Sequence, residues 1–184
     1  MMTTTEKRYG YNENAPINVW IGNLRKYNEG ELSGDWVALP NDDIWQVVED
    51  LGIDLDRDEY HIPDWECNIP GLEYFEYADL DDLNEKAETW MNLDEWQREG
   101  VGVRMELLGE DFDEALDNCD DVRIWHGCSD MKDVAREYCE ECGLLDSIPD
   151  NLRWYFDFEA FGRDIELEGN FDYSVELGCM VEAF

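Results

Sequence analysis

Apolar residues fall in short β-rich runs along the first third of the chain. Ile17-Asn-Val-Trp-Ile21 and Asp35-Trp-Val-Ala-Leu39 each predict a strand, with a turn-like stretch from Asn28 to Gly34 between them and Pro40 closing the second. A short helix is expected from about Asp42 to Leu51, ending at Gly52. Tyr60-His-Ile62 reads as a third strand, stopped by Pro63.

In the middle third the spacing becomes helical. Leu80, Leu83, Ala87, Trp90 and Met91 form one apolar stripe, and a second short helix is expected to include Leu93, Trp96 and Gln97. The last third opens with strand Val122-Arg-Ile-Trp125. A helix follows from Asp130 to Cys142, with Ser129 as N-cap and Gly143 as stop. Another runs from about Phe158 to Leu167 and closes at Gly169, and Phe171–Val175 with Cys179–Val181 reads as a hairpin. The pattern predicts an α+β chain in three segments. Residues 1–62 make a sheet with a helix, 63–118 an acidic helical segment, and 119–184 a C-terminal α+β segment.

The polar positions are overwhelmingly acidic. On the 130–142 helix, Met131, Val134, Ala135, Tyr138, Cys139 and Cys142 share a face, while Asp130, Asp133, Glu137, Glu140 and Glu141 occupy a separate arc. On the helix from Leu80, Asp81, Asp82, Glu85 and Glu88 lie opposite the stripe. Ordinary solvated helices intersperse Lys to gain i,i+4 pairs. Here Lys132 and Arg136 are the only bases on the first helix, and Lys86 the only one on the second.

With 48 acids and 13 bases the formal charge is −35. Residues 1–62 hold 13 acids and 5 bases, 63–110 hold 14 and 3, and 111–184 hold 21 and 5, so the excess is not an acidic tail. Phosphate backbones and anionic membrane surfaces would be repelled, which excludes direct nucleic-acid binding, argues against docking on an anionic membrane surface, and points to a basic partner. Duplex DNA carries one charge per ~1.7 Å, so this charge matches roughly 60 Å of duplex. The expected partner surface comprises the helical acids above together with Asp94, Glu95 and Glu99, and Asp111, Asp113, Glu114 and Asp117. Halophilic adaptation, or an acidic interaction protein binding some other basic DNA-binding partner, gives the same composition.

Other chemistry finds little support. Asp54-Leu-Asp56-Arg-Asp58 has calcium-loop spacing, but Glu59 stands where Gly is needed and Trp65 where Glu should chelate. Cys139-Glu-Glu-Cys142 has zinc-like spacing, with Cys119, His126 and Cys128 upstream, yet no second such pair closes a site and both thiols fall on the apolar face. Neither His61 nor His126 stands beside a recognisable nucleophile, and Gly30-Glu-Leu-Ser33-Gly34 has the wrong spacing for a nucleophile elbow. The expectation is a protein without catalysis, cofactor or metal. No apolar run nears the roughly 20 residues of a membrane span. The polar start lacks a signal peptide, and six cysteines then read as reduced thiols in a cytoplasm.

Three collinear blocks carry a family resemblance. Val19-Trp-Ile-Gly-Asn-Leu-Arg-Lys-Tyr-Asn-Glu-Gly-Glu-Leu-Ser-Gly-Asp-Trp36 resembles the opening of ArdA-type antirestriction proteins. Asp130-Met-Lys-Asp-Val-Ala-Arg136 and Phe156-Asp-Phe-Glu-Ala-Phe-Gly-Arg-Asp164, continued by Glu168-Gly-Asn-Phe171, resemble the family's C-terminal blocks. Residues 63–118 match only in being acidic and helical. The resemblance implies a DNA mimic encoded on mobile elements, elongated, built of three small domains and homodimeric through the C-terminal one. It also implies occupancy of the DNA-binding channel formed by the specificity and modification subunits of type I restriction–modification enzymes. Val122, Ile124 and Trp125 are assigned to the dimer interface on that basis. The six cysteines and the leader 1–16 fall outside the family pattern, and the order of that leader is left open. In the last block Phe156, Phe158, Phe161 and Ile165 read as core, Gly162 as a close-packing position, and Arg163-Asp164 as an internal ion pair.

Overall fold

A computed structural model describes residues 9–73, 76 and 78–184. Its architecture is mixed α/β, with two three-stranded antiparallel sheets and, among the described residues, eight α-helices. The chain divides into two compact units, residues 1–94 and 95–184. The acidic central segment is therefore shared between them.

In the first unit, β1 (Ile17–Asn23) lies between β2 (Gly34–Leu39) and β3 (Tyr60–Cys67). Side chains alternate across a strand, so Ile17, Val19 and Ile21 share one face with Val37 and Leu39, and all five are fully buried. Helix α1 (Leu24–Asn28) follows β1, α2 is Ile44–Asp50, and α3 spans Leu80–Asn92. Ile44, Val47 and Val48 of α2 and Leu80, Leu83 and Ala87 of α3 are buried as well, and α3 packs against β2. Two polar ties join α3 to α2 and to the turn before α2. Trp45 Nε1 donates to Asp81 Oδ1 at 2.8 Å, and the Asn41 N–H donates to Asn84 Oδ1 at 2.7 Å.

Three expectations change here, and one helix goes unforeseen. The third strand does not stop at Pro63 but runs to Cys67, because β3 is an edge strand and its pairing with β1 is irregular between Trp20 and Gly22. A residue without an N–H is tolerated at such a bulge. Met91 is 55% exposed and lies outside the stripe. Leu93 caps the C-terminus of α3 instead of entering the next helix. Finally, α1 is too short for periodicity to reveal; its cap is Asn23, whose Oδ1 accepts the Lys26 N–H at 3.0 Å.

Residues 9–16 of the leader are ordered against the sheet. Asn12 exchanges bonds with the buried Asn18 side chain, Gly10 accepts the Ala38 N–H, and Asn68 Nδ2 donates to the Glu13 and Ala15 carbonyls. Residues 1–8 lie outside the described part of the chain.

In the second unit, α4 (Glu95–Val103) continues into a π-helical turn at Arg104–Leu108 that ends at Gly109, φ +68°. Then come α5 (Phe112–Asp117), β4 (Val122–Trp125), α6 (Met131–Glu141), α7 (Asp150–Arg153) and α8 (Phe158–Glu168). The hairpin β5 (Phe171–Ser174) and β6 (Cys179–Ala183) closes the chain, giving strand order β4-β6-β5. Register places Trp125, Met180 and Tyr173 on one face, where Trp125 and Met180 pack with Cys128, Val134, Met131, Tyr138 and Phe171. Val122 and Ile124 lie on the other face with Ala183 and Val181.

Helices α6 and α8 are packed closely, and Gly162 is buried where they meet. A methyl added there would lie 2.8 Å from the Met131 carbonyl carbon and nearer still to its oxygen, which gives the close-packing position its cause. Phe156, Phe158, Phe161 and Ile165 are only half-buried. Arg163 and Asp164 are both exposed, and among the described residues no ion pair joins them, so the expected internal pair is not formed. The α6 cap is Asp130, whose Oδ1 accepts the Asp133 N–H at 2.9 Å, and not Ser129. Ser129 instead donates N–H and Oγ–H to Asp133 Oδ2, because a carboxylate one position later fits the cap.

Candidate partner-binding surface

The sixteen assigned acids separate into those used internally and those facing outward. Asp81 is bound by Trp45, Asp82 by Lys86 and Glu141 by Arg123, while Asp111 and Asp130 cap α5 and α6. Glu99, Asp133 and Glu137 are half-buried: Glu99 lies 3.4 Å from His126, Asp133 pairs with Arg136, and Glu137 accepts the Cys128 thiol at 3.0 Å. Asp94 is exposed. Glu85, Glu88, Glu95, Asp113, Glu114, Asp117 and Glu140 are exposed, and among the described residues nothing donates to their carboxylates.

The bases are largely consumed at home. Arg25 pairs with Asp58, Arg57 with Asp54, Lys86 with Asp82 and Arg104 with Glu110. Arg123 pairs with Glu141, Arg136 with Asp133, and Arg153 with Asp146 and Asp150. Exposed pairs of this kind add little stability each. Their electrostatic effect is to cancel each cation locally, so the outward field is that of the remaining carboxylates.

Two pairs are structural. Asp58 is buried; its Oδ2 accepts from Asn23 Nδ2 at 3.0 Å and its Oδ1 lies 2.6 Å from Arg25 Nε. The Asn23 bond, then the Arg25 contacts, hold the Asp58 carboxyl below the usual carboxylate range against the opposing effect of desolvation. Arg104, buried beside the π turn, grips Glu110 through two bonds of 2.6 and 2.7 Å, and its hydrogen bonds to Glu110 raise its pKa. In the same turn Glu106 accepts from Ser174 Oγ at 2.7 Å and the Val175 N–H at 3.1 Å, tying down the β5–β6 turn. These internal carboxylates were not separable from surface acids in the sequence, because Asp58 and Glu106 depend on partners distant along the chain and Glu110 meets Arg104 only through the π turn between them.

The residues assigned to a dimer interface are placed differently from one another. Trp125 is 2% exposed inside its own core, with the Arg123 guanidinium 3.8 Å from its ring centroid, while Val122 and Ile124 are half-buried on the opposite face. The cysteines are free thiols, and all but Cys67 and Cys142 are buried. Cys142 is exposed, at the C-cap of α6, where the helical projection put it on the apolar face. Burial and the bond to Glu137 push the Cys128 thiol up to about 12. Among the described residues no group of three or more His, Cys, Asp and Glu could hold a metal ion, and no helix is long and apolar enough to cross a membrane.

A family described as antirestriction protein (ArdA) matches residues 19–178 of the 184-residue chain. No curated protein matches it.

Proposed function

The chain belongs to the ArdA family of antirestriction proteins, and from that membership we propose that it is a DNA mimic that occupies the DNA-binding channel of type I restriction–modification enzymes. Occupancy blocks restriction, and modification with it, because both activities need the same duplex in the same channel. No catalysis is involved, and the inhibitor works as a homodimer that doubles the charge offered to the target. The reading is carried by one observation: most of the described bases are paired at home, while Glu85, Glu88, Glu95, Asp113, Glu114, Asp117 and Glu140 remain exposed and undonated. A surface of this kind presents a phosphate-like field to a basic channel, with affinity spread over many carboxylates.

The test is displacement of labelled cognate DNA from a type I methyltransferase core, titrated at two salt concentrations. Near-stoichiometric displacement that weakens as salt rises is expected, since channel and mimic meet through charge. Absence of displacement from several such enzymes would overturn the reading and leave an acidic protein with another basic partner.

A further inference from the structure

We propose that the outer face of the first sheet is a cation-stacking platform that takes an arginine side chain of the basic partner. The proposal rests on the partner being a basic protein surface, as above, and assigns a second kind of contact to it. Register sets three rows across this face: Ala38–Asn18–Glu66, Trp36–Trp20–Asp64 and Gly34–Gly22–His61. The middle row places two tryptophans at paired positions with a carboxylate at its end.

The glycine row is what lays Trp20 down. A methyl at Gly34 would lie 2.7 Å from Trp20 Cζ3, and one at Gly22 would lie 2.7 Å from His61 Cε1 and closer to the indole. The Trp20 ring therefore extends over both glycines. Trp20 and Trp36 are half-buried, so each indole keeps exposed surface.

The leader supplies the third aromatic. The Tyr11 ring stands at 86° to Trp36 with centroids 5.8 Å apart, and its hydroxyl donates to Glu66 Oε2 at 2.5 Å. That bond fixes Glu66 beside the indoles with Oε1 undonated among the described residues. Aromatic faces beside fixed, exposed carboxylates complement a guanidinium, which stacks on indole and pairs with carboxylate at once. They repel phosphate, and an apolar partner would leave Asp64 and Glu66 desolvated. The occupant that satisfies both features is a cationic planar side chain.

The probe is a tetra-arginine peptide, titrated into the ¹⁵N-labelled full chain at low and at 0.5 M salt, about the range over which exposed charge contacts are screened. The Trp20 and Trp36 indole N–H signals should move, and should go on moving at the higher salt. Trp36→Leu should weaken peptide binding about fivefold and Trp36→Phe less, the order expected of a cation–π contact. Glu66→Gln, which keeps the Tyr11 bond and the fold, should weaken it as well. Unmoved indole signals, Trp36→Leu and Glu66→Gln binding as tightly as the parent, or an equal response to an uncharged tetraserine peptide would each overturn the platform. The two readings fail separately. DNA displacement that Trp36→Leu leaves untouched, with unmoved indoles, removes the platform alone. A parent chain that displaces no DNA yet holds the peptide at Trp36 removes the inhibitor alone.

Discussion

Gly162→Ala isolates the close approach of α6 and α8 in the second unit. The added methyl has no free volume: it lies 2.8 Å from the Met131 carbonyl carbon and 3.3 Å from the Lys132 nitrogen, and both belong to backbone at the start of α6. A side chain could swing aside, but backbone held in a helix cannot, so α6 and α8 must separate. Overpacking of this kind costs about 1–3 kcal/mol. Alanine recovers up to about 1 kcal/mol through its higher helix propensity. At the middle of these ranges the net loss is about 1–2 kcal/mol. For a cooperative unit of this size each kcal/mol moves the midpoint by about 4–8 °C, so thermal unfolding followed by circular dichroism should shift down by roughly 5–15 °C. Glu159→Ala on the same helix, at an exposed position, should stay within about 0.5 kcal/mol of the parent. An unchanged or raised midpoint for Gly162→Ala would mean that propensity outweighs the clash, and would refute the close packing of α6 on α8.

Three further outcomes are expected. Because the Asp58 carboxyl is held below its ordinary range when folded, the stability it contributes is complete above about pH 4 and is lost as pH falls through the folded value; urea titrations across that window should show Asp58→Asn flattening the decline. Raising ionic strength from low to moderate should raise the thermal midpoint, since a chain at −35 is strained by self-repulsion, and a midpoint indifferent to salt would contradict this. Ellman titration of the native protein should find one fast thiol, Cys142, with the buried thiols and Cys67, pushed up to about 11 by burial, reacting slowly; fast loss of Cys128 would show that its burial is wrong.

Much of the fold was legible because its signals are local. The β-rich runs gave β1, β2 and β4 to within two residues, and the stripes of α3 and α6 gave long helices whose buried faces are Leu80, Leu83 and Ala87 and Val134, Ala135 and Cys139. What escaped depends on distant partners or on too few turns. Helices α1, α5 and α7 span five, six and four residues, below the length at which a 3.6-residue period can be told from chance. Pro63 reads as a stop until pairing shows that its strand lies at an edge. The surface was legible as a charge balance but not as positions. Asp133 and Glu137 projected onto the polar arc of α6, yet both are half-buried in bonds to residues from the preceding loop. Tyr11 lay in a leader with no pattern of its own, and its place comes from Trp36 and Glu66.

The strand order of the second sheet bears on where this protein can be cut. The recognisable sequence ends at residue 178, one position before β6 begins. Yet β6 is the central strand: β4 and β5 pair only with it, and it carries Met180 into the core around Trp125. A fragment trimmed to the recognisable region would also lose Ile17 and Asn18 of β1, together with the leader residues that bond to Asn18. Such a fragment would keep nearly every residue by which the family is known and lack the strand that joins its second sheet. For domain dissection, expression or fusion, the folding boundaries lie outside the homology boundaries at both ends, and the last six residues are the ones least safely removed.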